Sequence, residues 1–301
     1  MPVTVERDVA YGTAGGQRLL LDAYVPADGR SGRGAVVMVH GGAWAIGDKS
    51  SWLSEGRALA EGGIVGIAVN YRLGPAGVFP AAADDVRTAI VWVQDHASHY
   101  GIDPARIGLF GASAGGQLVM LVGTTRPTST GRPGNGGSPG APGLGVPGAP
   151  GPGRPPVVAV ASWSGPTNMT TLGQAAGGQV AGGLRPPEGC GTNNRCVAFN
   201  WPPAVVGHLG CTVAQCLERY RQASPVDQVT TQAPSMYIVN SRSEVVPAAQ
   251  ATEMADRLRA SGVTVTVVLR KGNLHADAYK KSQTGPTVRF FERSLTRAPR
   301  S

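Results

Sequence analysis

The pentapeptide Gly111-Ala112-Ser113-Ala114-Gly115 carries the strongest chemical signal in the chain. It follows a short apolar run, Ile107-Gly108-Leu109-Phe110, and precedes a helical pattern over residues 115–122. In that context a sharp strand-to-helix turn exposes a serine hydroxyl. Glycines on both sides remove Cβ clashes where backbone segments crowd together. The helix N-terminus beneath the serine favours developing negative charge. A serine so placed suits nucleophilic attack on an acyl carbon. In a chain with 44 glycines the plainer alternative is a glycine-lined turn without chemistry.

A second signal stands upstream. His40-Gly41-Gly42-Ala43-Trp44 follows the apolar run ending at Val39. Acyl transfer needs donors aimed at a tetrahedral oxyanion, and backbone N–H groups of a Gly-rich loop supply them. The expected donors are Gly42, Ala43 and Ala114, the residue after the nucleophile.

The nucleophile needs a histidine base, and the chain has five histidines. His40 belongs to the Gly-rich loop and is expected to fix it by hydrogen bonding. His96 and His99 fall near the end of a long helical pattern, where solvated or helix-end roles suit them. His208 lies in a cysteine-bearing region. His275 sits just beyond a strand-like run and obeys the chain order serine, acid, histidine, so it is the expected base. The acid should follow the strand at residues 235–239. The loop Asn240-Ser241-Arg242-Ser243-Glu244-Val245-Val246-Pro247 holds one carboxylate, Glu244. A buried Glu244 would orient His275 and stabilise its imidazolium. A surface Glu244 paired with Arg242 is the plainer alternative, with Asp227 as the reserve acid.

These residues need a scaffold, and the hydrophobic periodicity describes one. Residues 3–11 and 17–24 read as an opening strand pair turning at Gly15-Gly16. Residues 35–39, 64–69, 107–110, 157–162, 235–239 and 263–269 read as further strands. Helical patterns cover 51–61, 80–100, 115–122, 247–260 and 286–297. The alternation implies a mostly parallel sheet with helices on both faces, an α/β fold. Residues 126–156 turn abruptly to Gly, Pro and Ser, the composition of a flexible insertion. Residues 165–224 look irregular and could form a cap over a pocket. Residues 1–301 are read as a single domain containing both.

Composition limits the alternatives. The chain has 301 residues, 42% hydrophobic and 15% charged, enough for one sizeable core. Its net charge of +8 is spread along the chain without a basic run, which argues against a nucleic-acid partner. No apolar run reaches the length of a membrane span. The first residues lack the pattern of a signal peptide. Cys190, Cys196, Cys211 and Cys216 allow three pairings, of which the two local loops Cys190–Cys196 and Cys211–Cys216 are expected. Such bridges would favour an oxidising compartment and leave secretion open. Oligomeric state is not legible.

With those residues in place, the chain resembles the α/β-hydrolase esterase/lipase family, in particular its hormone-sensitive-lipase-like and feruloyl- and acetylxylan-esterase-like branches. The matching stretches are HGGAWAIGDK from His40 to Lys49, Asn70-Tyr71-Arg72-Leu73, Gly101-Ile102-Asp103-Pro104-Ala105-Arg106-Ile107, Gly111 to Gly116, Val245-Val246-Pro247 and His275-Ala276. The resemblance implies an α/β-hydrolase fold and a serine carboxylic ester hydrolase working through an acyl-enzyme on Ser113. Small or short-acyl esters are the expected substrates, and no metal or organic cofactor is required. Two positions depart from the family. Its aspartate, four residues before the proline of the V-P pair, is Ser243 here, with Glu244 one position later and one methylene longer. Its third loop glycine is Ala43. An amidase, arylformamidase or peptidase with the same machinery is the nearer rival, and a non-catalytic binding protein on a hydrolase scaffold the more distant one. Trp44, Trp163 and Trp201 would line an apolar pocket or pack in the core.

Overall fold

A computed structural model describes residues 1–125, 156–174 and 201–296. The insertion expected at 126–156 and the pair Cys190–Cys196 fall almost wholly or wholly outside them. Eight strands form one sheet: β1 (Val3–Ala14), β2 (Gln17–Pro26), β3 (Arg33–Val39), β4 (Val65–Val69), β5 (Ile102–Ala112), β6 (Ala159–Trp163), β7 (Ser235–Ser241) and β8 (Val265–Arg270). Their spatial order is β1-β2-β4-β3-β5-β6-β7-β8. The first two ladders are antiparallel and the rest parallel. Gly15 and Gly16, at φ 57° and 76°, make the expected hairpin turn between β1 and β2.

The central strands are buried on both faces, which is why they read as continuous apolar runs. Along β3, Val37 and Val39 point into one core layer while Val36 and Met38 point into the other. The first layer receives α2 (Ala81–Asp95), α3 (Ala114–Thr124) and α7 (Ala248–Ala260). The second receives α1 (Leu53–Glu61) and α8 (Lys280–Leu295). Helix α2 buries Ala82, Val86, Ala89, Ile90 and Val93, the spacing of one helical face.

Several boundaries differ from expectation: the helix expected over 80–100 ends at Asp95, and the one expected over 51–61 begins at Leu53 after a 3₁₀ turn. Helix α8 begins six residues before Pro286 and accommodates that proline in its interior. Strand β5 extends back through Pro104 to Ile102, and the β3–β5 register shifts there, between Arg33 and Ala35. The shift accommodates a residue that cannot donate to the ladder.

The described parts of 165–224 are largely helical rather than irregular: α4 (Met169–Gln174), α5 (Trp201–Leu209) and α6 (Val213–Ala223). Thr212 and Gln215 form a capping box at the start of α6. Cys211 and Cys216 are bridged, as expected, with Cα atoms 6.3 Å apart. Cys216 interrupts α6 with non-helical torsions, which reconciles the bridge with the helix.

Helix α3 carries the chain from Ser113, at the C-terminal end of the central strand β5, back to Thr125 beside the opposite ends of the strands. A Cβ added to Gly123, near its end, would meet Val160 Cγ2 at 2.7 Å, close to the start of β6.

Candidate active site

Ser113 sits between β5 and α3 with φ 51° and ψ −119°, a conformation that side chains rarely adopt. Such a residue carries about 1–3 kcal/mol of backbone strain, held by its surroundings. The Ser113 N–H donates to the Trp163 carbonyl at 2.8 Å, and the Ser113 carbonyl accepts from Gln117 N–H at 3.1 Å. The flanking glycines are sterically required. A Cβ on Gly111 would lie 2.2 Å from the Gly115 carbonyl oxygen, and one on Gly115 would lie 2.0 Å from that of Val39.

Residues far apart in the chain meet at this turn. His275 Nε2 lies 3.0 Å from Ser113 Oγ. On the other side of the ring, His275 Nδ1 donates to Glu244 Oε2 at 2.5 Å. With that proton on Nδ1, Nε2 presents a lone pair to the serine hydroxyl. The Glu244 side chain is fully buried, so it is not the surface partner of Arg242. Its other oxygen, Oε1, accepts from Ser241 N–H at 2.6 Å and from the Tyr279 hydroxyl at 2.7 Å. Asp227, the reserve acid, lies elsewhere, with Arg221 and Arg257 as its charged neighbours.

The loop after β3 lies against the nucleophile turn. A Cβ on Gly41 would stand 3.0 Å from the Ala112 carbonyl oxygen and 3.2 Å from Ser113 Cβ. Gly42, Ala43 and Trp44 all have positive φ, at 115°, 53° and 59°. A Cβ on Gly42 would lie 1.9 Å from the Ile46 carbonyl oxygen, so this position excludes side chains. Ala43 holds the left-handed conformation without being a glycine. Gly42, Ala43 and Ser113 are partly exposed, open to a solute. Ala114 is the first residue of α3, where an N–H has no partner within the helix.

The loop is anchored from several sides. His40 is buried, with Nδ1 2.7 Å from the Gly41 carbonyl oxygen, and its ring stacks on Tyr71. Burial lowers its pKa and keeps the ring neutral. Tyr71 donates its hydroxyl to the His40 carbonyl at 3.0 Å, and Gly74 N–H donates to the Trp44 carbonyl at 2.8 Å. At the loop's far end, Lys49 Nζ lies 2.8 Å from both Asp8 and Asp22, the latter wholly buried. Lys49 N–H also donates to Asn70 Oδ1 at 2.7 Å. The sequence stretches around residues 40–49 and 70–73 therefore hold one another.

The other histidines take structural places. His96 is the C-cap of α2 and stacks on Trp92, and His99 is exposed 3.9 Å from Glu6. His208, on α5, is buried against Trp44. Trp44 donates from Nε1 to Gln117 Oε1 at 3.0 Å, and Trp163 from Nε1 to Thr287 Oγ1 at 3.1 Å. Both rings are core residues rather than an exposed pocket wall. The Trp201 side chain falls outside what is described.

Sequence reasoning did not find Ser164, Ser241 or Tyr279. Ser164, at φ 53° just beyond β6, accepts the Ala276 N–H on Oγ at 3.0 Å and so steadies the turn carrying His275. None of the three belongs to a recognisable motif, and only convergence in space marks them.

The BD-FAE family model matches residues 21–258. Among characterised proteins, an arylesterase of Saccharolobus solfataricus is 43% identical over 91 residues, 30% of this chain and 30% of that protein. Carboxylesterase NlhH of Mycobacterium tuberculosis is 37% identical over 118 residues, 39% of this chain and 36% of that protein. The matched stretches thus span about a third of these relatives' own length. A solved structure described as a truncated carbohydrate esterase from gut microbiota superimposes with a TM-score of 0.74. It is 23% identical, with 98% of this chain and 97% of that one covered, a likeness that establishes the α/β-hydrolase fold.

Proposed function

Because the chain belongs to the BD-FAE family, we propose that it is a serine carboxylic ester hydrolase. The observation that carries this reading is the continuous line from Ser113 Oγ through His275 to Glu244, at 3.0 and 2.5 Å. His275 Nε2 takes the serine proton as Oγ attacks the ester carbonyl carbon, and Glu244 holds the ring and stabilises the imidazolium. The N–H groups of Gly42, Ala43 and Ala114 receive the oxyanion. Collapse of the tetrahedral intermediate expels the alcohol, protonated by His275. Water, deprotonated by the same imidazole, then releases the carboxylic acid and regenerates Ser113.

The substrates proposed are small or short-acyl esters. Ile46 and Leu274, 71% and 41% exposed, neighbour the oxyanion loop and His275 in the chain and offer such molecules apolar contact. The Cys211–Cys216 bridge supports an oxidising compartment for the protein. Among the described residues no helix is long and apolar enough to cross a membrane.

The test is turnover of p-nitrophenyl esters from acetate to palmitate, beside feruloyl and acetylated-sugar esters and matched amides. A fluorophosphonate should label Ser113, and Ser113→Ala should remove both labelling and turnover. Full activity in Ser113→Ala would overturn the mechanism. Failure of the native chain to react with the fluorophosphonate would favour a binding protein, and faster cleavage of the matched amides would favour an amidase.

A further inference from the structure

A glutamate in the acid position poses a mechanical problem. It has one more rotatable bond than aspartate, and only one of its oxygens faces the imidazole. The structure binds the other oxygen twice, through Ser241 N–H at 2.6 Å and the Tyr279 hydroxyl at 2.7 Å. We propose that Tyr279 is a positioning residue that holds Glu244 so that Oε2 serves His275 alone. This rests on the assignment of Glu244 and His275 as acid and base.

The chemistry of the cluster favours that role. Tyr279 is wholly buried, and its ring packs edge-on against Trp163 at 6.2 Å. Burial, and secondarily the charge of Glu244, push its phenol pKa up, so the proton stays on the oxygen and the hydroxyl remains a donor. Ser241 Oγ lies 2.8 Å from the phenol oxygen. Since the phenol proton is committed to Glu244, the serine hydroxyl donates to the phenol. The resulting order is Ser241 hydroxyl, Tyr279 hydroxyl, Glu244 carboxylate and His275 imidazole, each oriented by the one before it.

The backbone couples the same parts. Tyr279 ends the short 3₁₀ turn Ala276–Tyr279, whose N-cap is His275. Ala278 N–H donates to the His275 carbonyl at 3.0 Å, closing the turn. One turn therefore presents the imidazole and also fixes the carboxylate that orients it. Ser241, the last residue of β7, supplies both its N–H and its hydroxyl to the cluster. The extra length of glutamate is absorbed by donors from two separate elements.

Tyr279→Phe removes the hydroxyl and keeps the ring. The experiment is a kinetic double-mutant cycle on the full chain with p-nitrophenyl acetate, using Tyr279→Phe, Glu244→Gln and the double variant. Outer partners that orient a functional histidine are typically worth about 10- to 100-fold, as metal sites show. Tyr279→Phe should therefore lower kcat by about 10-fold while KM moves less than about twofold. In the Glu244→Gln background the same change should alter kcat by less than about twofold, because Tyr279 acts through the carboxylate. The far-downfield proton resonance of His275 Nδ1 should also move in Tyr279→Phe. Wild-type kcat in Tyr279→Phe, an equal loss in both backgrounds, or an unmoved resonance would overturn the proposal. If Tyr279→Phe loses its fold, Ser241→Ala takes its place and must show the same dependence on Glu244. An inactive Ser113→Ala beside a fully active Tyr279→Phe sinks this proposal alone, whereas an active Ser113→Ala sinks the hydrolase mechanism beneath it.

Discussion

The rings of Trp44 and His208 stack with centroids 4.5 Å apart and planes 9° from parallel. This contact joins the loop after β3, which lies against Ser113, to helix α5 in the region between β6 and β7. Phe79 closes on the same imidazole edge-on at 6.3 Å, and neither ring nitrogen of His208 has a hydrogen-bond partner among the described residues. A neutral imidazole serves here as a flat packing group.

Acid should therefore weaken the fold through His208. Burial pushes its pKa down to about 3, whereas an imidazole in the unfolded chain titrates near 6.5. Above that value neither state binds the proton. Between about 6.5 and 3 only the unfolded chain does, so stability falls as pH falls, by about 1.4 kcal/mol per unit. At pH 4.5 the loss from this residue is of the order of 2–3 kcal/mol. Urea unfolding at pH 7.5 and 4.5 should show a smaller difference in His208→Phe, which keeps the stack and loses the titrating group. His40, also lowered by burial, adds to the slope in the same sense in both proteins. An equal pH dependence in the two would refute the assignment.

Glu244→Gln should leave the fold intact and lower kcat by about 10²- to 10⁴-fold, because the amide no longer stabilises an imidazolium or enforces the tautomer. Circular dichroism and kcat on p-nitrophenyl acetate check the two halves of this expectation. A loss of less than threefold would remove Glu244 from the mechanism.

Two glycine substitutions should have opposite signs. Alanine at Gly115 places a methyl 2.0 Å from the Val39 carbonyl oxygen, and should destabilise by about 1–3 kcal/mol or more and cut turnover by displacing the Ser113 turn. Alanine at Gly207, within α5 and with no neighbour inside 4 Å among the described residues, should be neutral or stabilise by up to about 1 kcal/mol. Denaturant midpoints of the two variants decide the matter.

Reduction of the Cys211–Cys216 bridge should cost about 2 kcal/mol, the loop-closure value for a six-residue ring. Melting with and without dithiothreitol measures it, and Cys211→Ser with Cys216→Ser should reproduce the reduced value. An unchanged melting temperature would mean the bridge does not constrain the unfolded chain.

The parts of the site legible in the sequence were those built from local backbone demands. Gly111, Gly115 and Gly42 are needed where a Cβ would strike a carbonyl oxygen, and such constraints leave a mark at fixed spacing. His275 and Glu244 were found through chain order and loop position, and the structure brings both to Ser113. Ser164, Ser241 and Tyr279 escaped because each acts through a contact between separate elements, with no periodic or turn signature. The central strands were readable because they are buried on both faces. Helices α4 to α6 were not, since Gly and Pro around them hide short amphipathic runs such as Val213–Ala223. At α8, Pro286 reads as a helix start in the sequence, yet the burial of Gln283 and Thr287 on one face carries the helix through it.

Helix α3 leads away from the nucleophile, so the described chain leaves at Thr125 and resumes at Pro156, before β6, by the strand ends remote from the chemistry. Gly123 and Val160 mark how near those two points lie. A longer connection between these anchor points would add about 0.6 kcal/mol of closure entropy for each doubling of its length, and both anchors lie at the far end of α3 from Ser113. A tag or binding module inserted between them would therefore join the chain at the end of α3 opposite the nucleophile. The junctions at Gln174 and Trp201 offer no such freedom, because α5 carries His208 and through it presses on Trp44.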